Sequence, residues 1–215
     1  MNAGLFGGTF NPFHNGHIRI IQHVKKKCGL GKIFLIPSAK PPHKPNLNLA
    51  PAKDRFEMVK VSLKNHKNLL VSDKELIRKG PSFTIDTITE FKEEYGRETL
   101  FFLLMGSDAF LDITTWKHKD KIFDAIQIII MLRGQWKNYT AIASFIDENI
   151  SKGYIFNEQR HTFTHEKKQD IIICKVPKID ISSTLIRERV KNNKSIKGLV
   201  PAKVEEIIKK KELYK

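Results

Sequence analysis

The amino-acid sequence predicts an α/β fold: a Rossmann-like, doubly wound parallel sheet with helices on both faces, plus C-terminal helices. Two observations carry that expectation. Apolar runs of strand length alternate with segments whose apolar residues recur at helical spacing, the βαβα order that implies a parallel sheet covered on both sides. The chain has 215 residues, 40% of them hydrophobic, enough for one substantial core. A single domain over residues 1–215 is therefore expected.

The elements follow in order. "AGLFGGTF" (3–10) reads as a short buried strand running into a glycine turn. "GHIRIIQHVKKKCG" (16–29) reads as a helix with Ile18, Ile21 and Val24 on one face and a stop near Gly29. "KIFLIPS" is a second strand and "AKPPHKPNLNLAP" a proline-rich loop. "AKDRFEMVKVSLKN" is helical by the spacing of Phe56, Val59 and Leu63. "NLLVSD" reads as strand, "TIDTITEFKEEYG" as helix and "TLFFLLMG" as a central strand. The second half continues with "AIQIIIML" as strand, a helix over about residues 139–150, and "DIIICKV" as strand. Two helices finish the chain: "SSTLIRERVKN", with Leu185, Ile186 and Val190 inward, and "PAKVEEIIKKKELY", opened by Pro201 in the favoured first-turn position. Residues 151–168 are polar and unperiodic, and no structure is predicted there.

Composition excludes several classes. The longest apolar runs, "FFLLM" and "IIIML", are far short of the roughly 18 residues of a membrane span. No charged region followed by a long apolar one opens the chain, so no signal peptide is expected, and the location expected is cytoplasmic. Cys28 and Cys174 stand in unrelated contexts without metal-ligand spacing and read as free thiols. A net charge of +15 invites a nucleic-acid reading, but only 8 of the 38 basic residues are arginines and the lysines are scattered. The runs at 25–27 and 209–211 fall near helix ends, where cations suit the helix dipole. A solvated basic surface that attracts polyanionic small molecules is the expectation.

Ligands of open parallel sheets sit at the carboxyl ends of the strands. Three polar segments occupy such places, residues 7–17, 106–116 and 180–187, and the architecture predicts that they converge on one crevice. In the first, "GGTFNPFHNGH", Gly7 and Gly8 allow unusual backbone angles and close approach of a ligand. His14 lies in the loop, His17 in the first turn of the next helix, and Gly16 keeps the space between them open. Neither the dinucleotide fingerprint nor the P-loop pattern is present. The histidine pair suits an anion site at a helix N-terminus, a satisfied, partly buried histidine, or zinc, for which no third ligand stands nearby. In "ISSTLIRER", Ser183, Thr184 and Arg187 share one face of a first helical turn, a cradle for a triphosphate, while Ser182 or Ser183 serves as N-cap. In "GSDAFLDITTW", Asp108 can accept from ribose hydroxyls or cap a helix, and Trp116 can stack on an aromatic ring or fill the core.

Together, His14-Asn15-Gly16-His17 and Ser182 to Arg187 resemble the H-x-G-H and S-x-T-x-x-R marks of a nucleotidyltransferase superfamily. More closely, the chain resembles bacterial nicotinate-nucleotide adenylyltransferases. The further marks are "PPHK", "PSFT", Gly106-x-Asp108 with Trp116, and a late "LVP" before a terminal helix ending in "LY". The resemblance spans nearly the whole chain. It implies transfer of AMP from ATP to nicotinate mononucleotide, with Mg²⁺ carried on the ATP and no dedicated protein metal site. It assigns ATP contacts to Gly7, Gly8, Thr9, Phe10, His14, Gly16 and His17 at one end, to Gly106 and Asp108, and to Ser183, Thr184 and Arg187. His14, His17 and Arg187 are its catalytic set. For the mononucleotide it implies Ser82, Phe83, Thr84, Trp116 and Lys117, with Lys44 and Arg133 assisting at phosphates.

Three departures stand out: Asn11 where many relatives have Asp, Phe83 where Tyr is common, and "GQW" after Arg133 where Pro-Gly is more familiar. The nucleophile in such a reaction is a phosphate oxygen already ionised at neutral pH, so positioning and charge neutralisation are the task rather than general-base catalysis. The rivals are preference for nicotinamide mononucleotide or another phosphorylated acceptor, and, from a different class, a basic nucleic-acid-binding module. The latter would need clustered Arg and Lys with stacking aromatics, which the sequence lacks.

Overall fold

A computed structural model describes residues 1–41, 49–133 and 139–215. In chain order the elements are β1 (Asn2–Gly8), α1 (Asn15–Lys27), β2 (Lys32–Pro37), α2 (Ala52–Leu63), β3 (Leu69–Val71), α3 (Lys74–Ile77), α4 (Thr84–Tyr95) and β4 (Leu100–Gly106). There follow α5 (Ser107–Leu111), a 3₁₀ turn (Ile113–Thr115), α6 (Lys119–Ala125), β5 (Gln127–Arg133) and α7 (Tyr139–Asn149). The chain ends with β6 (Ile155–Asn157), β7 (Thr162–Thr164), β8 (Ile171–Val176), α8 (Ser183–Lys191) and α9 (Ala202–Lys210).

The strands form one sheet in the order β3-β2-β1-β4-β5-β8-β7-β6. The β1/β4, β2/β3, β4/β5 and β5/β8 pairs are parallel. The central strands are buried on both faces, which is why they read as unbroken apolar runs: Ile128, Ile129 and Ile130 are fully buried, and Leu103 to Met105 nearly so. The doubly wound α/β architecture expected from the alternation is the one observed, with an antiparallel addition. Residues 151–168, for which nothing was predicted, contain the β6/β7 hairpin, paired antiparallel onto β8. Each of its strands is three residues long, too short to establish a period. The Phe156 and Phe163 rings, 4.5 Å apart, tie the hairpin together.

By its contacts the chain divides into two compact units. The first comprises Met1–Phe6, Val24–Gly31 and Phe83–Lys178. It holds the β4/β5/β8 sheet core. Cys28 and Cys174, expected in unrelated contexts, are free thiols that interact with each other. The interaction with Cys174 pulls the Cys28 thiol down, and that with Cys28, reinforced by burial, pushes Cys174 up.

The second unit comprises Gly7–His23, Lys32–Ser82 and Ile179–Lys215. Met58 of α2, Ile186 of α8 and Val204 and Ile208 of α9 pack with Ile196 and Val200 into its helical core. The observed α2 face differs from the expected one. The spacing of Phe56, Val59 and Leu63 describes the α2 face incompletely, since the buried residues are Arg55, Met58, Val59, Ser62 and Leu63, with Phe56 only half-buried. The lysine run at 25–27 lies in the last turn of α1 as expected. Among the described residues, no helix is long and apolar enough to cross a membrane.

Candidate active site

The loop between β1 and α1, residues 9–14, belongs to the second unit. Its apolar anchors are Phe10 and Phe13, 4% and 0% exposed, and these hold the loop against the core while its backbone turns. The turn uses a positive φ of 48° at Phe10, not at either preceding glycine. Of the two glycines, Gly8 is demanded by packing, since a Cβ there would come within 2.9 Å of the Phe10 ring. Gly7 faces open space.

His14 is buried and His17 half-buried, and their rings stack with centroids 3.6 Å apart. Phe13 stacks with the His17 ring at 5.1 Å. The main-chain N–H of His14 donates to Nδ1 of His17 (3.2 Å), and that of His17 donates to Nδ1 of His14 (3.3 Å). A neutral imidazole nitrogen that accepts a hydrogen bond carries no proton, so each ring is the Nε2–H tautomer, with its donor at the far end of the ring. The reciprocal bonds explain a spacing of three residues at a helix start: each side chain satisfies a main-chain donor of the first turn.

Gly16 was expected to keep the space between the histidines open, but that space is taken by the His14 ring. A Cβ at position 16 would lie 3.0 Å from His14 Nδ1 and 3.4 Å from Ile179 Cγ2. Gly16→Ala should therefore displace the His14 ring within its stack and destabilise the protein by about 1–3 kcal/mol, checked by urea unfolding.

The C-terminal motif meets this loop directly. Ser182 is the α8 N-cap, accepting from the Leu185 N–H at 3.1 Å. Ser183 Oγ donates to the Pro12 carbonyl (2.9 Å), and Arg187 Nη1 to the Asn11 carbonyl (2.8 Å). Arg187 Nη2 donates to Thr184 Oγ1 (3.2 Å). Among the described residues Arg187 thus spends two of its five N–H donors on the protein. At the other end of the loop, the Asn15 main-chain N–H and Nδ2 donate to the carbonyls of Leu199 (3.0 Å) and Gly198 (2.9 Å).

Arg55 was not singled out by the sequence reading. It is fully buried, and its guanidinium donates to the carbonyls of Thr9 (2.7 Å), Ser38 (2.6 Å), Ala39 (3.1 Å) and Ala50 (2.9 Å). One side chain thereby joins the exits of β1 and β2 to the segment leading into α2. Burial lowers its pKa from the ordinary guanidinium value. The signal was present: Arg55 shares the helical stripe of Met58, Val59, Ser62 and Leu63, an unusual place for a cation unless it is fully hydrogen-bonded.

Ser82 also lies in this unit, and its Oγ accepts from the N–H groups of Ala39 (3.1 Å) and Lys40 (3.3 Å), so its hydroxyl supports the exit of β2. Among the described residues, no group of three or more His, Cys, Asp or Glu side chains could hold a metal ion.

The remaining candidates lie in the first unit. Gly106 ends β4 and precedes α5, where Asp108 is exposed in the first turn and a Cβ on Gly106 would meet nothing. Phe83 is the N-cap of α4 and Thr84 its first residue. Lys117 Nζ lies 4.4 Å from the centroid of the half-buried Phe83 ring and 3.8 Å from Asp86 in the first turn of α4. Trp116 is half-buried just after the 3₁₀ turn, its main-chain N–H bonded to the Ile113 carbonyl at 3.0 Å. Arg133 is the last residue of β5. Lys44 and the "GQW" segment lie outside the described residues.

Comparison with known proteins places this geometry in context. A family model described as cytidylyltransferase-like matches residues 5–189. A protein of Caldicellulosiruptor saccharolyticus named a probable nicotinate-nucleotide adenylyltransferase is 38% identical, covering 100% of both chains. One of the same name from Geobacter sp. (strain M21) is 35% identical, covering 100% of this chain and 98% of its own. The solved structure of the Plasmodium falciparum nicotinic acid mononucleotide adenylyltransferase complexed with NaAD superposes with a TM-score of 0.74. Coverage is 99% of this chain and 97% of that one, and at 20% identity this likeness concerns the fold.

Proposed function

Since the chain belongs to the nicotinate-nucleotide adenylyltransferase family, within the cytidylyltransferase-like proteins, we propose that it transfers AMP from ATP to the phosphate of nicotinate mononucleotide, releasing pyrophosphate and forming deamido-NAD. The observation that carries the chemistry is the stacked His14–His17 pair, two Nε2–H tautomers fixed by reciprocal bonds at the start of α1.

In this reading an oxygen of the mononucleotide phosphate attacks the α-phosphorus of ATP, a new P–O–P bridge forms, and the bond to the pyrophosphate breaks. The incoming oxygen is already anionic, so no protein group has to remove a proton. His14 and His17 donate at Nε2 to the oxygens of the transferring phosphoryl group, where charge builds up in the transition state. The start of α1 suits an anion, with no acidic residue in its first turn. Thr9, Phe10, Gly7, Gly8 and Gly16 shape the loop around the phosphates. Ser183, Thr184 and Arg187 face the β- and γ-phosphates, Arg187 with the donors it does not use on Asn11 and Thr184.

Asp108 and Gly106 are assigned to the adenosine ribose, and Thr84 with Phe83 and Trp116 to the pyridine ring. Lys117 adds positive charge near that ring, and Lys44 and Arg133 assist at phosphates. In this reading the divalent cation arrives bound to ATP, with phosphate oxygens and water as its ligands. Carried in that way, Mg²⁺ would supply neutralisation of charge on the departing pyrophosphate. The reading places the protein in the cytoplasm, with Cys28 and Cys174 as thiols.

The deciding experiment follows pyrophosphate release with ATP, Mg²⁺ and either nicotinate or nicotinamide mononucleotide. Release is expected to be faster with the acid; background release with both would remove the proposal. Trp116→Ala should raise the Michaelis constant for the mononucleotide about tenfold, as expected from losing roughly 1–1.5 kcal/mol of ring stacking. An unchanged constant would take stacking out of the account.

A further inference from the structure

The terminal "LY" is among the marks of the sequence, yet nothing in the proposed chemistry uses it. The segment following α9 turns back on itself through two residues in the left-handed region, Glu212 (φ 51°) and Tyr214 (φ 68°). Lys211, just past α9, pairs through Nζ with Asp54 (2.6 Å) and Glu57 (2.7 Å), both on α2. Leu213 and Tyr214 pack against the helical core of the second unit. The Tyr214 phenol then donates to Asn11 Oδ1 at 2.8 Å, across 203 positions of sequence.

Asn11 Oδ1 also accepts from the Ala50 N–H at 3.0 Å, while the Asn11 carbonyl accepts from Arg187. Tyr214 therefore reaches a loop residue that is held on both its side chain and its main chain. Burial pushes the phenol's pKa well above its ordinary value, against the opposing pull of Arg55 and Arg187, so the hydroxyl stays a donor throughout the neutral range.

We propose that Tyr214 is a positioning residue: through Asn11 it fixes the β1–α1 loop in the conformation that aims His14 and His17, with Lys211 seating the C-terminal segment on α2. This rests on the function proposed above, and it concerns a residue to which that function assigns no substrate contact. It also gives Asn11 a task. A neutral amide oxygen can take both donors without adding a charge beside the triphosphate.

The test is Tyr214→Phe, which keeps the ring and its packing and removes only the hydroxyl. Turnover should fall about 3- to 10-fold, as for loss of one net hydrogen bond, with the Michaelis constant for the mononucleotide unchanged. In an Asn11→Ala background the same substitution should have no further effect on turnover. Hydrogen exchange should accelerate at the amides of residues 9–17 and stay constant in the β4/β5/β8 core. Normal turnover in Tyr214→Phe, or equal losses in the two backgrounds, would overturn the proposal, as would a lowered melting temperature with normal turnover. If the wild-type protein releases no pyrophosphate, the functional reading fails by itself. The exchange experiment then still decides whether Tyr214 holds the loop, and unchanged exchange at residues 9–17 would overturn that.

Discussion

Replacing His17 by alanine is expected to lower turnover about 10²- to 10³-fold, the loss typical of one positioned donor at a developing oxyanion. The imidazole is preorganised by stacking with Phe13 and His14, and its Nδ1 is occupied by the His14 main-chain N–H. The ring therefore does not have to reorganise when charge appears on the phosphoryl group, and that is why its removal should act on turnover more than on binding. Folding should survive, because the main anchors of the loop are Phe10, Phe13 and the α8 contacts rather than the half-buried His17. Turnover with saturating ATP and mononucleotide, beside a thermal melt, checks both halves of the expectation. Wild-type turnover in the variant would reduce His17 to a helix-capping residue.

The second large effect is on stability. Arg55→Leu should cost about 3–5 kcal/mol, since hydrogen bonds to a charged group are worth about 1.5–3 kcal/mol each and four are lost without adding fully. Leucine supplies apolar contact but leaves four carbonyls, those of Thr9, Ser38, Ala39 and Ala50, without the donor they share. Burying an unpaired carbonyl costs about 1–3 kcal/mol, and the individual losses will not add, because water can enter the space that the guanidinium leaves. Arg55→Lys should be an intermediate case, since an ammonium carries positive charge but has three donors and no planar fork. Urea unfolding gives the measurement. A variant within 0.5 kcal/mol of wild type, the range usual for surface substitutions, would show that the network contributes little net stability.

Much of this protein is local in origin, and the local part was legible. Strands buried on both faces announce themselves as apolar runs, so β1, β2, β4, β5 and β8 could be located from composition alone. Helices with one buried stripe, such as α1 with Ile21 and Val24, follow from spacing. His14 and His17 fall in the loop and the first turn of α1 as the motif implies. The β6/β7 hairpin escaped because two three-residue strands carry no period. The mistaken α2 face has a different cause: a periodicity argument counts apolar residues, and the largest buried side chain on that helix is an arginine.

What the sequence by itself determined was the order of strands and helices, the family, and which residue types stand at the β1–α1 turn, because each depends on neighbours within a few positions. The tertiary structure alone decided that Ser183 and Arg187 grip the carbonyls of Pro12 and Asn11, that Arg55 joins four carbonyls of three segments, and that Tyr214 reaches Asn11. The reason is physical. A main-chain carbonyl is the same acceptor at every position, so its partner is chosen by where the fold brings a donor, and no pattern of side chains along the chain records that choice.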